Sequence, residues 1–231
     1  MRYVLKIKKI GLFMAFGLVF SACSNSSSPQ IDIYKSLEQI VAAEKTFSKQ
    51  QQPLVDLEKQ EKEKYDQIIS LGMKEQEQIR KLSNDALDIV GKREKRIQQE
   101  KKSMDESKKK FQEAVELIDS LDEEEHKKEA ESLIKLMNKR YTSYDKLHDH
   151  YEKAVQLDRE LYQMFKKEDV ALDELEKQIA SINATYDQIL KANEEFNNLT
   201  KQYNEAKAAF YKKAGLEVVE KNKDDKKESV Q

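Results

Sequence analysis

Apolar residues recur every three or four positions over most of this chain, and the residues that would interrupt a helix are nearly absent. Among 231 residues there are five glycines and two prolines, whereas 37% of the residues are charged. This spacing is typical of amphipathic α-helices, and such a composition is typical of long ones. The alternation of a β-strand does not occur over any useful length. We therefore predict an all-α fold.

A few breaks divide the apolar spacing into four predicted helices. These helices cover residues 33–71, 74–120, 122–166 and 170–214. Pro53 lies inside the first of them and should kink it or divide it in two. Because short connections force neighbouring helices to run antiparallel, the predicted fold is an elongated up-and-down antiparallel bundle of about four long helices. One long dimeric coiled coil is the alternative arrangement, which the breaks disfavour.

The apolar residues of each predicted helix form a stripe along one face, called a seam below. Two of these seams contain polar residues. Arg140 and Asp158 fall on the seam over residues 133–165, and Asn193 falls on the seam over residues 172–210. Polar residues at such positions can fix the register of packed helices at some cost in stability. Tyrosines share these two helices, namely Tyr141, Tyr144, Tyr151, Tyr162, Tyr203 and Tyr211. Their helical spacing favours core packing over a row that stacks against sugar rings.

The start of the chain resembles a bacterial lipoprotein signal. Four basic residues precede an apolar stretch from Ile10 to Phe20, and the small residues Ser21 and Ala22 are followed by the only cysteine, Cys23. This order marks a secretory signal, and its apolar stretch is shorter than the roughly 20 residues that span a bilayer. We predict cleavage between Ala22 and Cys23 and a lipid on the Cys23 thiol. An ordinary secretory signal is the alternative.

These features divide the chain into four predicted segments. Residues 1–22 are a signal peptide, and residues 23–32 are the lipidated cysteine and a flexible tether. Residues 33–214 form the helical bundle domain. Residues 215–231 are a charged tail that cannot bury enough apolar surface to become ordered. The lipid on Cys23 would hold the chain to the outer face of the bacterial cytoplasmic membrane.

Charge and residue content disfavour several classes of function. Loss of the leader with its four basic residues changes the formal net charge from −2 to −6, which argues against binding to nucleic acid. With the single cysteine used for lipid, neither a disulfide nor a cysteine metal site can form. A nucleophile elbow, a phosphate-binding loop and a zinc-protease motif do not occur in the sequence. We therefore predict no enzymatic activity and no cofactor.

The histidines do not predict a metal site. Glu123 with His126, and Asp145 with His148, have the i, i+3 spacing seen in di-iron bundles. Such a site needs pairs on different helices at one level, whereas these pairs lie about six turns apart on one predicted helix. We expect these histidines to be solvated or to cap a helix.

One basic segment is a candidate binding surface. Residues 92–110 contain nine basic and four acidic residues. A basic stripe on a long helix could contact an anionic wall polymer or lipid headgroups. The alternative is a solvated face balanced by the acidic residues of segment 119–131 on the next helix. The clustered candidates are Lys101, Lys102, Lys108, Lys109 and Lys110.

The whole chain resembles the YkyA-like family of Gram-positive bacteria. The resemblance is carried by Ser-Ala-Cys at residues 21–23 and by a Lys-, Glu- and Gln-rich helical body that contains Tyr-Asp-Gln-Ile at residues 65–68 and 186–189. Members are described as cell-wall-binding lipoproteins. The resemblance implies a long helical bundle outside the membrane with a role at the wall. A hydrolase association is suggested for the family, but only Cys23 can be carried over as a functional position.

The leading hypothesis is a non-enzymatic binding or spacer role at the cell wall, with peptidoglycan or teichoic acid as the partner. The alternatives are a helical adaptor that binds another envelope protein and, third, a cell-wall hydrolase.

Overall fold

The computed structural model describes residues 29–71, 75–119 and 124–213. These residues form five helices: α1 (Pro29–Ala43), α2 (Lys45–Ser70), α3 (Gln76–Asp119), α4 (Glu124–Phe165) and α5 (Leu172–Lys213). All secondary structure in these ranges is helical, which confirms the predicted fold class. None of the five helices is both long enough and apolar enough to cross a membrane.

Two sets of hydrogen bonds show that neighbouring helices run in opposite directions. One set joins Glu44, Ser107, Arg140 and Thr200. The other joins Glu61, Arg93, Asp158 and Tyr186. From the first set to the second, residue numbers rise along α2 and α4 and fall along α3 and α5. The helices therefore form an up-and-down antiparallel bundle, as predicted, and the two sets lie about 21 to 27 Å apart along it.

The first predicted helix is divided into α1 and α2, and the break lies at Glu44. Ser103 of α3 donates a hydrogen bond from Oγ to the carbonyl of Ala43 at 2.6 Å and accepts one from the N–H of Phe47 at 3.0 Å. In an uninterrupted helix these two backbone groups would bond to each other. The Ser103 hydroxyl therefore separates one pair of the helical ladder, which is a recognised cause of helix breaks.

The structure bears on two expectations about the first helix. Of the kink or division predicted at Pro53, the division does not occur, because α2 runs from Lys45 to Ser70 through the proline. The helix also begins earlier than predicted, since α1 starts at Pro29 and residues 29–32 are helical instead of part of the tether. Proline suits the first position of a helix, where its missing N–H would have no helical partner. The predicted signal peptide, Cys23 and the predicted tail at 215–231 lie outside the described residues.

The predicted seams form the interior of the bundle. Arg140 and Asp158 are buried among the apolar residues of α4, while Asn193 is half-buried on α5. Leu172, the first residue of the α5 seam, is instead 71% exposed. The six tyrosines of α4 and α5 named above are all buried, so they pack in the core.

Replacement of Ser103 should destabilise the junction of α1 and α2. In Ser103→Ala the Ala43 carbonyl and the Phe47 N–H both lose their partner, so we expect the free energy of unfolding to fall by about 1–3 kcal/mol. Chemical denaturation of the purified protein measures this change. Ser181→Ala is the matched control, because the exposed Ser181 hydroxyl bonds only within its own helix, and it should change stability by less than about 0.5 kcal/mol. Equal effects of the two substitutions would contradict the role of Ser103.

Candidate functional site

A buried guanidinium joins four of the five helices, α2 to α5. Arg93 of α3 donates from Nη1 to Glu61 Oε2 of α2 at 2.6 Å and to Asp158 Oδ2 of α4 at 2.8 Å. Its Nη2 donates to the hydroxyl of Tyr186 of α5 at 2.8 Å. The Tyr186 hydroxyl in turn donates to Asp158 Oδ2 at 2.8 Å. These bonds are charge-assisted and shielded from water, so they fix the relative height of the helices.

The acidic groups around Arg93 outnumber its single charge. Glu58 Oε1 lies 3.9 Å from Arg93 Nη2 and accepts a hydrogen bond from the Tyr151 hydroxyl. Burial raises the pKa of Glu58 and of Asp158, although the nearby guanidinium opposes the rise. Burial also raises the pKa of Glu61 to about 8. The cluster therefore holds at least one neutral carboxyl group near neutral pH.

A second buried ion pair lies near the break between α1 and α2. Arg140 donates from Nη1 and Nη2 to the two carboxylate oxygens of Glu44, at 2.7 and 2.8 Å, and from Nε to Thr200 Oγ1 at 2.8 Å. Ser107 donates to Glu44 Oε1 at 2.7 Å. The Phe196 ring centre lies 4.8 Å from the Arg140 guanidinium carbon. The two-point pairing and the extra partners offset the cost of burying both charges.

A third buried cation ties α1 to α5. Lys207 is 2% exposed, and its Nζ donates to Glu38 Oε1 at 3.4 Å. The Tyr211 hydroxyl donates to the same oxygen at 3.2 Å. Burial lowers the pKa of Lys207, and the Glu38 carboxylate opposes that change. Buried cations thus occur at three levels of the bundle.

A cavity of about 40 Å³ lies between the levels of Arg93 and Arg140. Its lining includes Glu100, Tyr144 and His148. Burial raises the pKa of Glu100 to about 8, and Gln51 donates a hydrogen bond to it. The cavity has room for one or two water molecules, whereas pockets that bind small molecules are typically about 300–1,000 Å³. It is too small to hold a substrate.

His148 is buried, contrary to the expectation of a solvated histidine. It is 8% exposed, with Nε2 at 3.7 Å from Glu152 Oε1 and Nδ1 at 3.9 Å from Asp149 Oδ1. The ligand atoms of these three residues lie within 4.8 Å of one another, but both acids are exposed. Exposed acids next to a histidine are common without a metal ion, so the group does not by itself identify a metal site. The side chains of Glu123 and His126 lie outside the described ones.

The five candidate lysines of α3 fall into two groups. Lys101 and Lys108 lie 3.4 and 3.3 Å from the carboxylate of Asp145 on α4, which therefore neutralises part of the basic segment. The others are exposed or half-exposed, namely Lys102, Lys109 and Lys110.

The exposed part of segment 92–110 keeps a basic excess. Arg93 and Glu100 are buried, which leaves eight basic and three acidic residues at least partly accessible. The same face also carries acids, because Glu106 follows Lys102 by four residues and Glu113 follows Lys109 by four. Pairs at this spacing attract each other weakly, by about 0.2–0.5 kcal/mol. They leave the lysines available to an external anion.

Sequence reasoning identified Arg140 and Asp158 but missed Arg93, which bonds Asp158, and Glu61, which accepts a hydrogen bond from Arg93. Glu61 lies seven residues from both Leu54 and Ile68, which are buried on the same face of α2. Arg93 lies three residues after Val90 and four before Ile97, which are buried on the same face of α3. A search for charged residues at seam positions would therefore have identified Glu61 and Arg93.

The raised pKa values predict a pH-dependent stability. Glu61 and Glu100 keep their protons up to about pH 8 in the folded protein, whereas in the unfolded chain they titrate near their ordinary value of 4.5. The folded state binds more protons between these values, so the free energy of unfolding should fall as pH rises from about 5 to 8. Glu61→Gln keeps a neutral acceptor for Arg93 and should flatten this slope by up to about 1.4 kcal/mol per pH unit.

Denaturation at a series of pH values measures that slope. Glu113→Gln is the control, because Glu113 is exposed on α3 and its replacement should leave the slope as in the wild type. A slope in Glu61→Gln as steep as in the wild type would contradict the buried neutral carboxyl.

Comparisons with known proteins agree with this architecture. The chain is 38% identical over 210 residues to the uncharacterized lipoprotein YkyA of Bacillus subtilis (strain 168), which covers 91% of this chain and 94% of the relative. A crystal structure of a conserved protein of unknown function from Staphylococcus aureus matches with a TM-score of 0.69 at 15% identity. That match covers 81% of this chain and 98% of the other, and it shows a shared fold alone.

A family model gives the assignment. The model of the YkyA family, described as "Putative cell-wall binding lipoprotein", matches residues 28–213, which is nearly the whole helical body. The chain therefore belongs to the YkyA family.

Proposed function

We propose that this chain is anchored by lipid to the outer face of the cytoplasmic membrane. Its helical body binds the cell wall, or acts as a spacer between membrane and wall, without catalysing a reaction. The observation that carries the proposal is that the buried ionisable groups pair with one another inside the bundle. Arg93, Arg140 and Lys207 are each held by carboxylates of other helices, in an interior whose cavity holds about 40 Å³. These groups fix the register of a long bundle, and binding is left to the outer faces.

The position of Cys23 supports attachment at one end of the bundle. Six residue steps separate Cys23 from Pro29 at the start of α1, and they span at most about 22 Å. A 44-residue helix such as α3 is about 66 Å long. A lipid on Cys23 would therefore hold one end of the bundle near the membrane, and the other end could reach well into the wall. Two or three acyl chains give stable anchoring, whereas one gives only marginal binding.

The exposed lysines of α3 supply the proposed contact with the wall. Lys102, Lys109 and Lys110 are accessible, and Lys92 and Lys95 extend the exposed basic residues along the same helix. From Lys92 to Lys109 this row is about 25 Å long. An anionic polymer such as teichoic acid would meet several cations in succession, although the whole chain is acidic. Lys101 and Lys108 would contribute less, because Asp145 already pairs with them.

Replacement of the proposed lipid acceptor should release the protein. We expect Cys23→Ala to appear in the culture medium or to stay uncleaved in the membrane, since the thiol that takes the diacylglyceryl group is gone. Detergent-phase partitioning and mass spectrometry of the mature chain measure the result. Ser24→Ala is the control and should partition as the wild type does. Unchanged partitioning and mass of the Cys23→Ala protein would contradict the lipid anchor.

Neutralisation of the exposed α3 lysines should weaken binding to the wall. We expect Lys102→Gln/Lys109→Gln/Lys110→Gln to lower retention on purified sacculi that carry teichoic acid, most clearly at low salt where such contacts are least screened. Co-sedimentation over a salt series measures this retention.

The control neutralises three exposed lysines on other helices, in the variant Lys59→Gln/Lys153→Gln/Lys191→Gln. It has the same net charge and should be retained as the wild type is. Equal loss in both variants would show a dependence on net charge alone. Absence of wild-type retention on sacculi under all conditions would favour an adaptor that binds another envelope protein.

A further inference from the structure

An open groove runs between α4 and α5, away from the lysines considered above. Its volume is about 930 Å³, and it is lined by residues 131–146 of α4 and 195–202 of α5. The α4 wall therefore extends over about 22 Å and the α5 wall over about 10 Å. The groove is thus open to solvent, and its shape fits a short stretch of an extended chain.

One lining side chain of the groove has an unused hydrogen-bonding group. Ser143 is 1% exposed, and its hydroxyl is buried without a hydrogen-bond partner in the described part of the protein. Ile134 and Leu199 are half-buried beside it in the lining. A ligand with a partly apolar frame would cover these two side chains, whereas the Ser143 hydroxyl lies beneath the surface of the groove.

The rim of the groove is polar but nearly balanced in charge. Its exposed amides can each donate and accept hydrogen bonds, and they are Asn138, Asn198 and Gln202. Its charged residues have both signs, namely Lys135, Lys139, Lys146, Glu131 and Glu195. A site built for a polyphosphate chain would have a strong basic excess. Amides that both donate and accept are better matched to the hydroxyl and acetamido groups of sugars.

We propose that this groove binds a glycan strand of the peptidoglycan, a proposal that rests on the proposed function because it assumes that the chain meets the wall. The amides of both helices bond the sugar substituents, and Ile134 and Leu199 contact the ring faces. Most of these groups are uncharged, so the contact resists salt. The contact of the α3 lysines is instead electrostatic and is weakened by salt.

This difference in salt sensitivity separates the two contacts experimentally. The full chain in detergent is sedimented with sacculi stripped of teichoic acid, at high salt, where the α3 lysines contribute little. The test variant is Asn138→Ala/Asn198→Ala/Gln202→Ala, and we expect it to need about tenfold more sacculi for half-maximal retention. Soluble glycan fragments of peptidoglycan should compete with the wild type for binding.

The control removes three exposed amides from other surfaces, in Gln67→Ala/Asn84→Ala/Gln163→Ala. All six positions are exposed on helices, where alanine is favoured, so both variants should melt as the wild type does. Normal retention of the groove variant, or equal loss in the control, would overturn the glycan site.

The wild-type result also distinguishes the two proposals. Retention on intact sacculi at low salt but not on stripped sacculi would overturn the glycan site and leave the proposed function intact. Failure to bind either preparation would overturn both.

Discussion

The guanidinium of Arg93 has no exposure to solvent and holds partners on three other helices. A buried charge is costly unless its partners are placed within hydrogen-bonding distance, so the helices can pack at one relative height only. Leucine and isoleucine seams alone would tolerate a shift of one helix along another, because their contacts are similar at each turn. The Arg93 cluster therefore specifies the register that the apolar core leaves open.

The other buried cations apply the same constraint at further levels. Arg140 fixes α4 against the start of α2 through Glu44, and Lys207 fixes α5 against α1 through Glu38. Each pair gains little net stability over an apolar pair of the same size, since desolvation offsets most of the attraction. Their effect is on specificity: three levels of paired charge along a narrow bundle suppress sliding between its helices.

Most of the fold follows from local sequence, and the exceptions follow from distant contacts. The periodic seams and the scarcity of glycine and proline predict four long helices. Their predicted ends lie within a few residues of the observed ones, with α1 and α2 together in place of the first predicted helix. The break at Glu44 could not be predicted, because the hydroxyl that makes it belongs to Ser103 on another helix. The pairing of Lys101 and Lys108 with Asp145, and the groove between α4 and α5, likewise depend on which helix faces align. Such neighbour relations are absent from a single-helix pattern.

The fixed register also determines what the outer faces can do. A groove between α4 and α5 keeps its shape only if the two helices cannot slide, because a shift by one residue would rotate Asn198 away from Asn138 and change the lining. Arg140, whose guanidinium bonds both Glu44 and Thr200, lies in α4 within the stretch that lines this groove. The buried pair therefore helps to hold the two walls of the groove in a fixed register. If the proposed function holds, the ionisable groups inside the bundle act on binding indirectly, by fixing the geometry of the surface.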